Sequence, residues 1–366
     1  MRAAVVSSIG GGFDVEELVI DVPRGREVLV DVRAVGLCHS DLSFAETDFG
    51  TPLPMVLGHE FAGVVAATGP EATGVDVGDH VVGSLVRACG ACPECEGGAP
   101  YRCTRRSDLL RRPDEPPRLT RADGSPVTAA LGTAAFAEQC LVHENQLVRV
   151  PRELPFPQAA LLGCSTVTGV GAVLNTARAA AEESVAVVGL GGVGLNALSG
   201  ARLAGAHPVV AVDIAPEKLD LAARFGATHT VDASSHDPVA AVREITGGSG
   251  VHHAFEVVGH ETTTLQALRM TRTGGTTYLV GLHRPGAPVS LDLMAEVLAP
   301  QRSIVGVYMG STVIGRDIPE YARLYLEGRL ELDALVAQEI PLSQIEDGFA
   351  QMRSGRAARS VVTSWT

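Results

Sequence analysis

The stretch SVAVVGLGGVGLNALSGARLAG, residues 184–205, decides the fold of this chain. An apolar run leads into a G-x-G-x-x-G turn formed by Gly189, Leu190, Gly191, Gly192, Val193 and Gly194. An amphipathic helical pattern follows the turn at once. Such glycines let a pyrophosphate approach main-chain N–H groups at the start of the helix, where the helix dipole favours anions. In this context the motif predicts a Rossmann unit that binds a dinucleotide.

The segments that follow this turn alternate between strand and helix patterns, through HPVVAVD, PEKLDLAARFG, THTVDA, PVAAVREITG and HHAFEVVG. This alternation predicts a doubly wound parallel sheet. Asp213 ends the second strand, about twenty residues beyond the last glycine, where a carboxylate accepts hydrogen bonds from the adenosine ribose. The same carboxylate would repel the 2′-phosphate of NADP. The pattern therefore predicts NAD as the preferred cofactor.

The two ends of the chain have a different character. The first third contains short valine-rich segments between turns, which predict a small irregular β domain. Residues 107–132 are charged and rich in proline, and we expect them to form a long exposed excursion. After about Tyr308 a helical pattern and the short segment SVVTSW follow, so we expect the tail to return to the first domain.

Length and charge limit the functions to consider. The 366 residues predict two domains. Lys and Arg number 29 against 42 Asp and Glu, a net charge of −13, which makes nucleic acids and anionic membranes poor partners. The start MRAAVVSSIGGGF lacks a signal-peptide pattern, and no uninterrupted apolar stretch reaches the roughly 18 residues of a membrane span. We expect a cytoplasmic protein.

Four of the seven cysteines form one run, C-x-x-C-x-x-C-x₇-C, at Cys89, Cys92, Cys95 and Cys103. Four thiolates at this spacing can close a tetrahedral zinc site that has no open position, which is a structural site. Iron–sulfur ligation is the alternative. No flavin motif or second cluster run accompanies these cysteines, so the pattern favours structural zinc.

Two further cysteines and a histidine stand apart, as Cys38 in VGLCHSDL, His59 in LGHEFAG and Cys164 in LLGCSTVTG. Two thiolates and one imidazole leave the fourth position of a zinc ion open, which is the arrangement of a catalytic site. Asp41 and Glu60 are carboxylates that can orient these ligands or occupy the open position. A lone Cys or His is more often an ordinary core residue, so spacing alone does not decide between the two interpretations.

The chain resembles the zinc-containing medium-chain alcohol dehydrogenases over essentially its whole length. The motifs that carry this resemblance are GLCHSDL, GHEFAGVV, the four-cysteine run, LLGCSTVTGVG, VVGLGGVG with Asp213, and SGRAARSVV. The resemblance implies an α/β fold with two domains. These are a GroES-like, β-rich catalytic domain with a structural-zinc lobe at residues 1–165 and 307–366, and a Rossmann domain with a doubly wound parallel sheet at 166–306. It also implies two zinc ions per chain and NAD.

The same resemblance assigns roles to individual residues. Catalytic zinc would be held by Cys38, His59 and Cys164, with Glu60 as an alternative ligand. Structural zinc would be held by the four-cysteine run. Cys140 would then belong to neither zinc site. The residues implied at the cofactor are Thr168 and Val193 near the nicotinamide, Lys218 beside Asp213 at the ribose, and His39 and Arg359 at the pyrophosphate. The residues implied to line a mostly apolar substrate pocket are Phe49, Leu85, Ala130, Leu131, Leu282 and Tyr308.

The resemblance implies hydride transfer between an alcohol or aldehyde and NAD(H), in a homodimer. Ser40 would pass the alcohol proton outward, and Ser43 stands where many members complete that relay with a histidine. Three alternatives remain. The chain could oxidise a thiol adduct of formaldehyde, or reduce a conjugated or iminium bond in a biosynthetic pathway. It could also be a non-enzymatic, zinc-stapled protein with NAD as a ligand, against which the intact set of Cys38, His59 and Cys164 argues. Several stretches resemble actinobacterial members that act on formaldehyde adducts or hold their nicotinamide tightly.

Overall fold

The computed structural model describes residues 1–354 and 359–366. The chain divides into two compact units. The first unit comprises Met1–Cys164 and Val313–Thr366, and the second comprises Ser165–Thr312. The domain boundaries expected from the sequence, at 165/166 and 306/307, stay a prediction.

The elements alternate along the chain as follows. The strands are β1 (Arg2–Val6), β2 (Asp14–Glu17), β3 (Val19–Ile20), β4 (Glu27–Gly36), β5 (Met55–Val56), β6 (Phe61–Thr68), β7 (His80–Gly83), β8 (Leu119–Thr120), β9 (Pro126–Ala129), β10 (Gln139–His143), β11 (Leu147–Arg149), β12 (Val185–Val188), β13 (Val209–Asp213), β14 (His229–Asp232), β15 (Val251–Glu256), β16 (Thr271–Leu279), β17 (Ser303–Gly306), β18 (Gln338–Pro341) and β19 (Ser360–Ser364). The α-helices are α1 (His39–Glu46), α2 (Pro93–Glu96), α3 (Phe156–Leu161), α4 (Val167–Gly171), α5 (Gly192–Ala204), α6 (Pro216–Phe225), α7 (Pro238–Ile245), α8 (Glu261–Met270), α9 (Ile314–Leu326) and α10 (Ile345–Arg353).

The second unit contains a six-stranded sheet whose strands are all parallel. Its spatial order is β14-β13-β12-β15-β16-β17, in which the first strand in sequence, β12, occupies the centre. This is the 3-2-1-4-5-6 order of doubly wound dinucleotide-binding folds, which confirms the prediction from the glycine turn. Valines fill β12 and β13 because strands covered by helices on both faces must be apolar throughout.

The first unit is built mostly of antiparallel strands in two sheets, ordered β2-β1-β5-β9-β8-β3 and β11-β7-β6-β4-β19-β18, with β10 also paired to β4. The last strand, β19, pairs antiparallel with β4 and parallel with β18. Phe349 near the end of the chain stacks on Phe13 near its start, with ring centroids 4.5 Å apart. The tail therefore returns to the first unit, as the sequence predicted.

The structure corrects two expectations. The segment 107–132 is not simply an exposed excursion, because β8 and β9 join a sheet and the side chains of Arg111 and Arg118 are only 8% and 6% exposed, in ion pairs with Glu27. The segment VEELVIDV, expected as one strand, divides into β2 and β3. The division follows from partner choice, since β2 pairs with β1 whereas β3 pairs with β8.

One helical stretch also differs from expectation. Phe156–Ala177 is long and apolar enough on average to cross a membrane, although polar residues interrupt it, and 83% of its most apolar window is buried within the structure. It consists of α3, α4 and two π-helical segments, Leu162–Thr166 and Ala172–Ala177. The core helix of a soluble protein has this same burial, so the stretch is weak evidence for a membrane span.

Candidate active site and zinc centres

Cys38, His59 and Cys164 come together in the first unit. Their ligand atoms all lie within 4.8 Å of one another, and all three residues are buried. Cys38 immediately precedes α1, His59 lies between β5 and β6, and Cys164 lies in the π-helical segment Leu162–Thr166. Interruptions of this kind in a helix are frequent at functional sites, since they re-aim a side chain that a regular turn would direct elsewhere. Three residues separated widely in sequence thus face one point.

His59 is oriented by a buried carboxylate. Its Nδ1 lies 2.9 Å from Oδ1 of Asp41, and both side chains are fully buried. The other ring nitrogen, Nε2, is buried and finds no hydrogen-bond partner among the described residues. An imidazole held through one nitrogen, with its second nitrogen aimed at two thiols, is the arrangement of a zinc ligand. The donor set therefore fits zinc.

The two thiols of this group are coupled to each other. A hydrogen bond from Cys164 holds the pKa of Cys38 well below its usual value, although burial opposes the shift. The same hydrogen bond, together with burial, raises the pKa of Cys164. Both sulfurs would be thiolates with zinc bound, because only the thiolate form of cysteine acts as a ligand.

Glu60 lies next to this group but outside it. Its carboxylate is fully buried and accepts two hydrogen bonds from the guanidinium of Arg359, one of them between Nε and Oε1 at 3.1 Å. Although burial opposes the charge of Arg359, Glu60 and Cys38 raise the pKa of its guanidinium. The role of Glu60 as an alternative zinc ligand and that of Arg359 at a pyrophosphate stay predictions. In the structure the two residues bind each other.

Three residues singled out from the sequence lie on α1, which begins directly after Cys38: Ser40, predicted to pass on the alcohol proton, Ser43, and His39, predicted at the pyrophosphate. His39 is exposed at the first position of this helix, and Ser40 and Ser43 are half-buried. All three therefore follow Cys38 within two helical turns. The relay role of Ser40 and the pyrophosphate contact of His39 stay predictions.

The four-cysteine run forms the second cluster, in which the four sulfurs lie within 4.8 Å of one another. Sγ of Cys92 and Sγ of Cys103 are 3.9 Å apart, and a tetrahedron with metal–sulfur bonds of 2.3 Å has edges of about 3.8 Å. The backbone N–H groups of Cys89 and Arg105 donate to Sγ of Cys103, at 3.3 and 3.4 Å. Main-chain hydrogen bonds lower the pKa of Cys92 to about 6, whereas burial and its thiol neighbours raise that of Cys95 to about 12. The cluster fits a closed zinc site.

In the second unit the glycine turn connects β12 to α5. Gly189 has φ +97°, and a side chain at Gly194 would meet the carbonyl oxygen of Gly189 at 1.9 Å, so glycine is required at both positions. Among residues 1–354 and 359–366, no atom lies within 4 Å of the position that a Cβ on Gly191 would take. The tight packing thus lies beneath the turn, while its outer side is open for a ligand to approach.

Asp213 ends β13 beside this turn. Its Oδ2 accepts the N–H of Leu190 at 2.6 Å, which ties the carboxylate to the turn. Two apolar residues that we did not predict lie nearby, Ile214 directly after β13 and Val258 after β15, with 69% and 51% of their surfaces exposed. Val258 is close enough that a Cβ on Gly189 would be 2.6 Å from its Cγ2. Each of them follows a buried strand whose sequence does not alternate between polar and apolar residues. This is the feature of the sequence that could have indicated them.

The other residues predicted to contact the cofactor in the second unit are Thr168, Val193 and Lys218. Thr168 is 8% exposed on α4, and its hydroxyl donates to Sδ of Met309 at 3.6 Å. Val193 lies in the first turn of α5, and Lys218 is half-buried on α6. Their contacts with nicotinamide and ribose stay predictions.

The predicted pocket residues have different surroundings. In the first unit Phe49 stacks on Phe44 with ring centroids 4.5 Å apart, Leu85 and Leu131 are half-buried, and Ala130 is buried in the hydrophobic core. In the second unit Leu282 and Tyr308 are 44% and 42% exposed. Their place in one substrate pocket stays a prediction.

Comparisons with known proteins agree with both units. The family described as "Alcohol dehydrogenase GroES-like domain" matches residues 24–152, and "Zinc-binding dehydrogenase" matches residues 192–327. An NDMA-dependent alcohol dehydrogenase of Amycolatopsis methanolica is 35% identical over 366 residues, covering 99% of this chain and 98% of the relative. An S-(hydroxymethyl)glutathione dehydrogenase of Paracoccus denitrificans is 32% identical over 376 residues, covering 99% of both. The crystal structure of benzyl alcohol dehydrogenase from Acinetobacter calcoaceticus superimposes with a TM-score of 0.92 at 34% identity, covering 99% of both chains.

The chain therefore belongs to the zinc-dependent medium-chain alcohol dehydrogenase family. It is an oxidoreductase that acts on the CH–OH group and transfers hydride between an alcohol or aldehyde and a nicotinamide dinucleotide. One cofactor is zinc, which fits both clusters of potential ligands. The other is the dinucleotide of the Rossmann domain, which in this family is typically NAD. The non-enzymatic and iron–sulfur alternatives are thereby set aside.

Proposed function

We propose that the enzyme interconverts an apolar primary alcohol, of medium length or benzylic, and its aldehyde, with NAD as cofactor. The observation that carries this proposal is the buried group of Cys38, His59 and Cys164, whose three ligands leave one position of a tetrahedral zinc ion for substrate. The apolar character of the predicted pocket residues supports an uncharged substrate. The benzyl alcohol dehydrogenase that this chain resembles supports the same class.

Each part of the site has a separate task in this proposal. When bound, zinc supplies Lewis acidity toward the alcohol oxygen and the dinucleotide supplies the hydride acceptor. Asp41 holds His59 in one tautomer and orientation, so that Nε2 stays directed at the metal position. The hydroxyl of Ser40, two residues beyond Cys38, takes up the proton that leaves the alcohol as it releases its own proton to the next acceptor of the relay. With Ser43 in place of a histidine, water completes the transfer to solvent.

The preference for NAD rests on Asp213. The N–H groups of Ile214 and Ala215 donate to its Oδ1 at 2.8 and 3.0 Å, and Leu190 donates to its Oδ2, so the carboxylate is fixed beside the glycine turn. A 2′-phosphate placed at this carboxylate would set like charges against each other, at a cost of several kcal/mol. Lys218, on the helix that follows β13, assists at the ribose.

Purified enzyme should reduce NAD⁺ faster with benzyl alcohol and with medium-length primary alcohols than with charged sugar alcohols. We expect NADP⁺ to support a rate at least about tenfold lower, since even 1.4 kcal/mol of like-charge repulsion corresponds to that factor. The measurement is the absorbance of the reduced nicotinamide across a panel of alcohols with each cofactor. Faster turnover with NADP⁺ would contradict the role given to Asp213.

The same panel of substrates distinguishes the proposed function from a second candidate function. The resemblance to S-(hydroxymethyl)glutathione dehydrogenase favours a thiol adduct of formaldehyde as substrate. Against it, Arg111 and Arg118 in the segment before Gly132 are committed to carboxylates of this chain, Arg111 to Asp21 and Glu27 and Arg118 to Glu27, and so offer no anchor for the carboxylates of glutathione. Turnover only with formaldehyde plus glutathione would replace our substrate class.

An α,β-unsaturated aldehyde tests reduction of a conjugated bond. Cofactor released by denaturing the protein shows whether the nicotinamide stays bound between turnovers.

We also propose a homodimer formed through the second unit. β17 is the outermost strand of the parallel sheet, and Ile304 on it is 40% exposed. Just before β17, Leu293, Met294 and Leu298 are 62%, 66% and 65% exposed. An edge strand that pairs only with β16 in the part of the chain that the structure describes, together with exposed apolar side chains on it and shortly before it, supports pairing with a second copy, because a monomer would leave both in water.

Ile304→Arg should weaken this dimer, because a buried charge without a partner is costly at an interface. Sedimentation velocity at several protein concentrations is the measurement, and we expect the wild type to sediment as a dimer and the variant to shift toward monomer. Val77→Arg is the matched control, since Val77 is 65% exposed but lies in the first unit. A monomeric wild type, or equal effects of both substitutions, would contradict the proposed interface.

A cytoplasmic location is proposed on chemical grounds. All seven cysteines are free, and both metal groups need their sulfurs as thiolates. Thiols persist in the reducing cytoplasm and oxidise outside it.

A further inference from the structure

The residue before His59 is held at both of its peptide groups. The N–H of Gly58 donates to Oδ1 of Asp41 at 3.0 Å, and its carbonyl accepts the hydroxyl of Thr133 at 2.8 Å and the N–H of Ala135 at 3.0 Å. Gly58 has φ +92°, and a Cβ there would lie 2.5 Å from the backbone nitrogen of Phe136. The backbone at position 58 is therefore fixed from two sides.

The hydroxyl of Thr133 donates its hydrogen bond to the carbonyl of Gly58 rather than to a carbonyl of its own turn. Thr133 is fully buried, and its Oγ1 lies 2.8 Å from the oxygen of Gly58 but 3.4 Å from that of Ala130. A hydroxyl has one proton to donate, and the shorter contact has the length of a normal O–H···O bond. The backbone N–H of Thr133 already donates to the oxygen of Ala130 at 3.1 Å. The proton of the hydroxyl therefore goes to Gly58.

The segment that carries Thr133 is strained and anchored. Leu131 and Ala134, on either side of Thr133, have φ values of 57° and 55°, a conformation that costs non-glycine residues on the order of 1–3 kcal/mol each. Such strain persists only where the surroundings hold the backbone in place. Arg118 supplies one such contact, since it donates to the carbonyl of Gly132 at 3.3 Å and pairs with Glu27 at 2.7 Å. Thr133 thus projects its hydroxyl from a rigid support.

We infer that Thr133 is a positioning residue for the zinc ligand His59. The carbonyl of Gly58 shares a planar peptide group with the nitrogen of His59, so the hydrogen bond from Thr133, together with that from the N–H of Ala135, sets the direction in which the His59 backbone begins. Asp41 fixes the ring at the other end, through Nδ1. His59 is therefore held at its backbone and at its ring. The inference rests on the proposed assignment of Cys38, His59 and Cys164 as catalytic zinc ligands.

The test compares Thr133→Val, which removes the hydroxyl at nearly constant volume, with Thr133→Ser, which keeps it. For Thr133→Val we expect one of two zinc ions to transfer to a chromogenic chelator about tenfold faster, as for other outer contacts of metal ligands. Enzyme with cobalt at the catalytic site should show a shifted visible absorption band. The kcat should fall about tenfold with KM changed less than about twofold, and Thr133→Ser should restore all three readouts. If Thr133→Val does not fold, Thr133→Ala provides the same measurements.

Thr271→Val is the matched control. Thr271 is a buried threonine of the second unit whose hydroxyl donates to the carbonyl of Ala267 at 2.9 Å. Thr271→Val should lower thermal stability without changing zinc release or the cobalt spectrum. If Thr133→Val behaves in the same way, its role is only structural and the inference is wrong. A raised KM with unchanged zinc release would also overturn it, because the hydroxyl would then act on the turn Ala130–Gly132. Retention of both zinc ions in Cys38→Ser would instead show that the ligand assignment itself has failed.

Discussion

Cys38→Ser is expected to abolish turnover while leaving the fold intact. A serine hydroxyl is a far poorer zinc ligand than a thiolate, and the substitution leaves His59 and Cys164 as the other two members of the group. Lewis-acid stabilisation of the transition state contributes several kcal/mol, and about 5 kcal/mol corresponds to a factor on the order of 10³–10⁴ in kcat. The measurements are kcat with the best alcohol and zinc content by elemental analysis, which should fall from two ions per chain to one.

Cys140→Ser is the matched control for this substitution. Cys140 is 1% exposed in the core of the first unit, and burial raises the pKa of its thiol, so it remains a neutral apolar side chain. It lies outside both metal groups. Cys140→Ser should therefore keep two zinc ions and near-normal kcat, with only a modest loss of stability from the buried hydroxyl. Full activity in Cys38→Ser would disprove the proposed ligand set.

Much of this site could be predicted from the sequence because its parts are local or chemically distinctive. The glycine turn, the strand ending at Asp213 and the four-cysteine run each lie within a short segment. Cys38 and Asp41 lie within one helical turn, so a carboxylate beside Cys38 could also be expected. Cys164 had to be inferred from residue type and resemblance, since spacing does not reveal that a π-helical segment directs it toward Cys38 and His59.

The contacts that escaped prediction join residues far apart in sequence through groups that carry no distinctive pattern. Arg359 lies 299 positions from Glu60, and Arg118 lies 91 positions from Glu27. An arginine in a proline-rich segment has the same local signature whether it is exposed or buried in an ion pair. For this reason the sequence predicts an exposed segment at 107–132, whereas β8, β9 and the buried side chains of Arg111 and Arg118 tie it to the first unit. The hydrogen bond of Thr133 to Gly58 escaped for the same reason, at a separation of 75 positions.

Cys103→Ser should cause a large loss of folding stability and only a smaller direct loss of kcat, whereas Cys38→Ser should chiefly reduce kcat. Cys103 is 4% exposed, and its sulfur accepts the N–H groups of Cys89 and Arg105 in addition to its place in the metal group. Few apolar side chains of residues 89–103 are buried, so we expect the segment to depend on the metal for its fold. Structural zinc contributes about 10–16 kcal/mol in small zinc-finger peptides. Even about 3–5 kcal/mol here would lower Tm by on the order of 10 °C.

Thermal unfolding and zinc content measure this prediction, again with Cys140→Ser as control because it also places a hydroxyl at a buried cysteine. Cys103→Ser should contain one zinc ion and unfold well below Cys140→Ser. At low temperature, where its folded fraction is high, kcat per folded molecule should exceed that of Cys38→Ser by at least about a hundredfold, since the site formed by Cys38, His59 and Cys164 does not include Cys103. Equal Tm values for Cys103→Ser and Cys140→Ser would show that the four-cysteine cluster does not stabilise the fold. Equal loss of kcat in Cys38→Ser and Cys103→Ser would show that the two clusters do not divide structural and catalytic work.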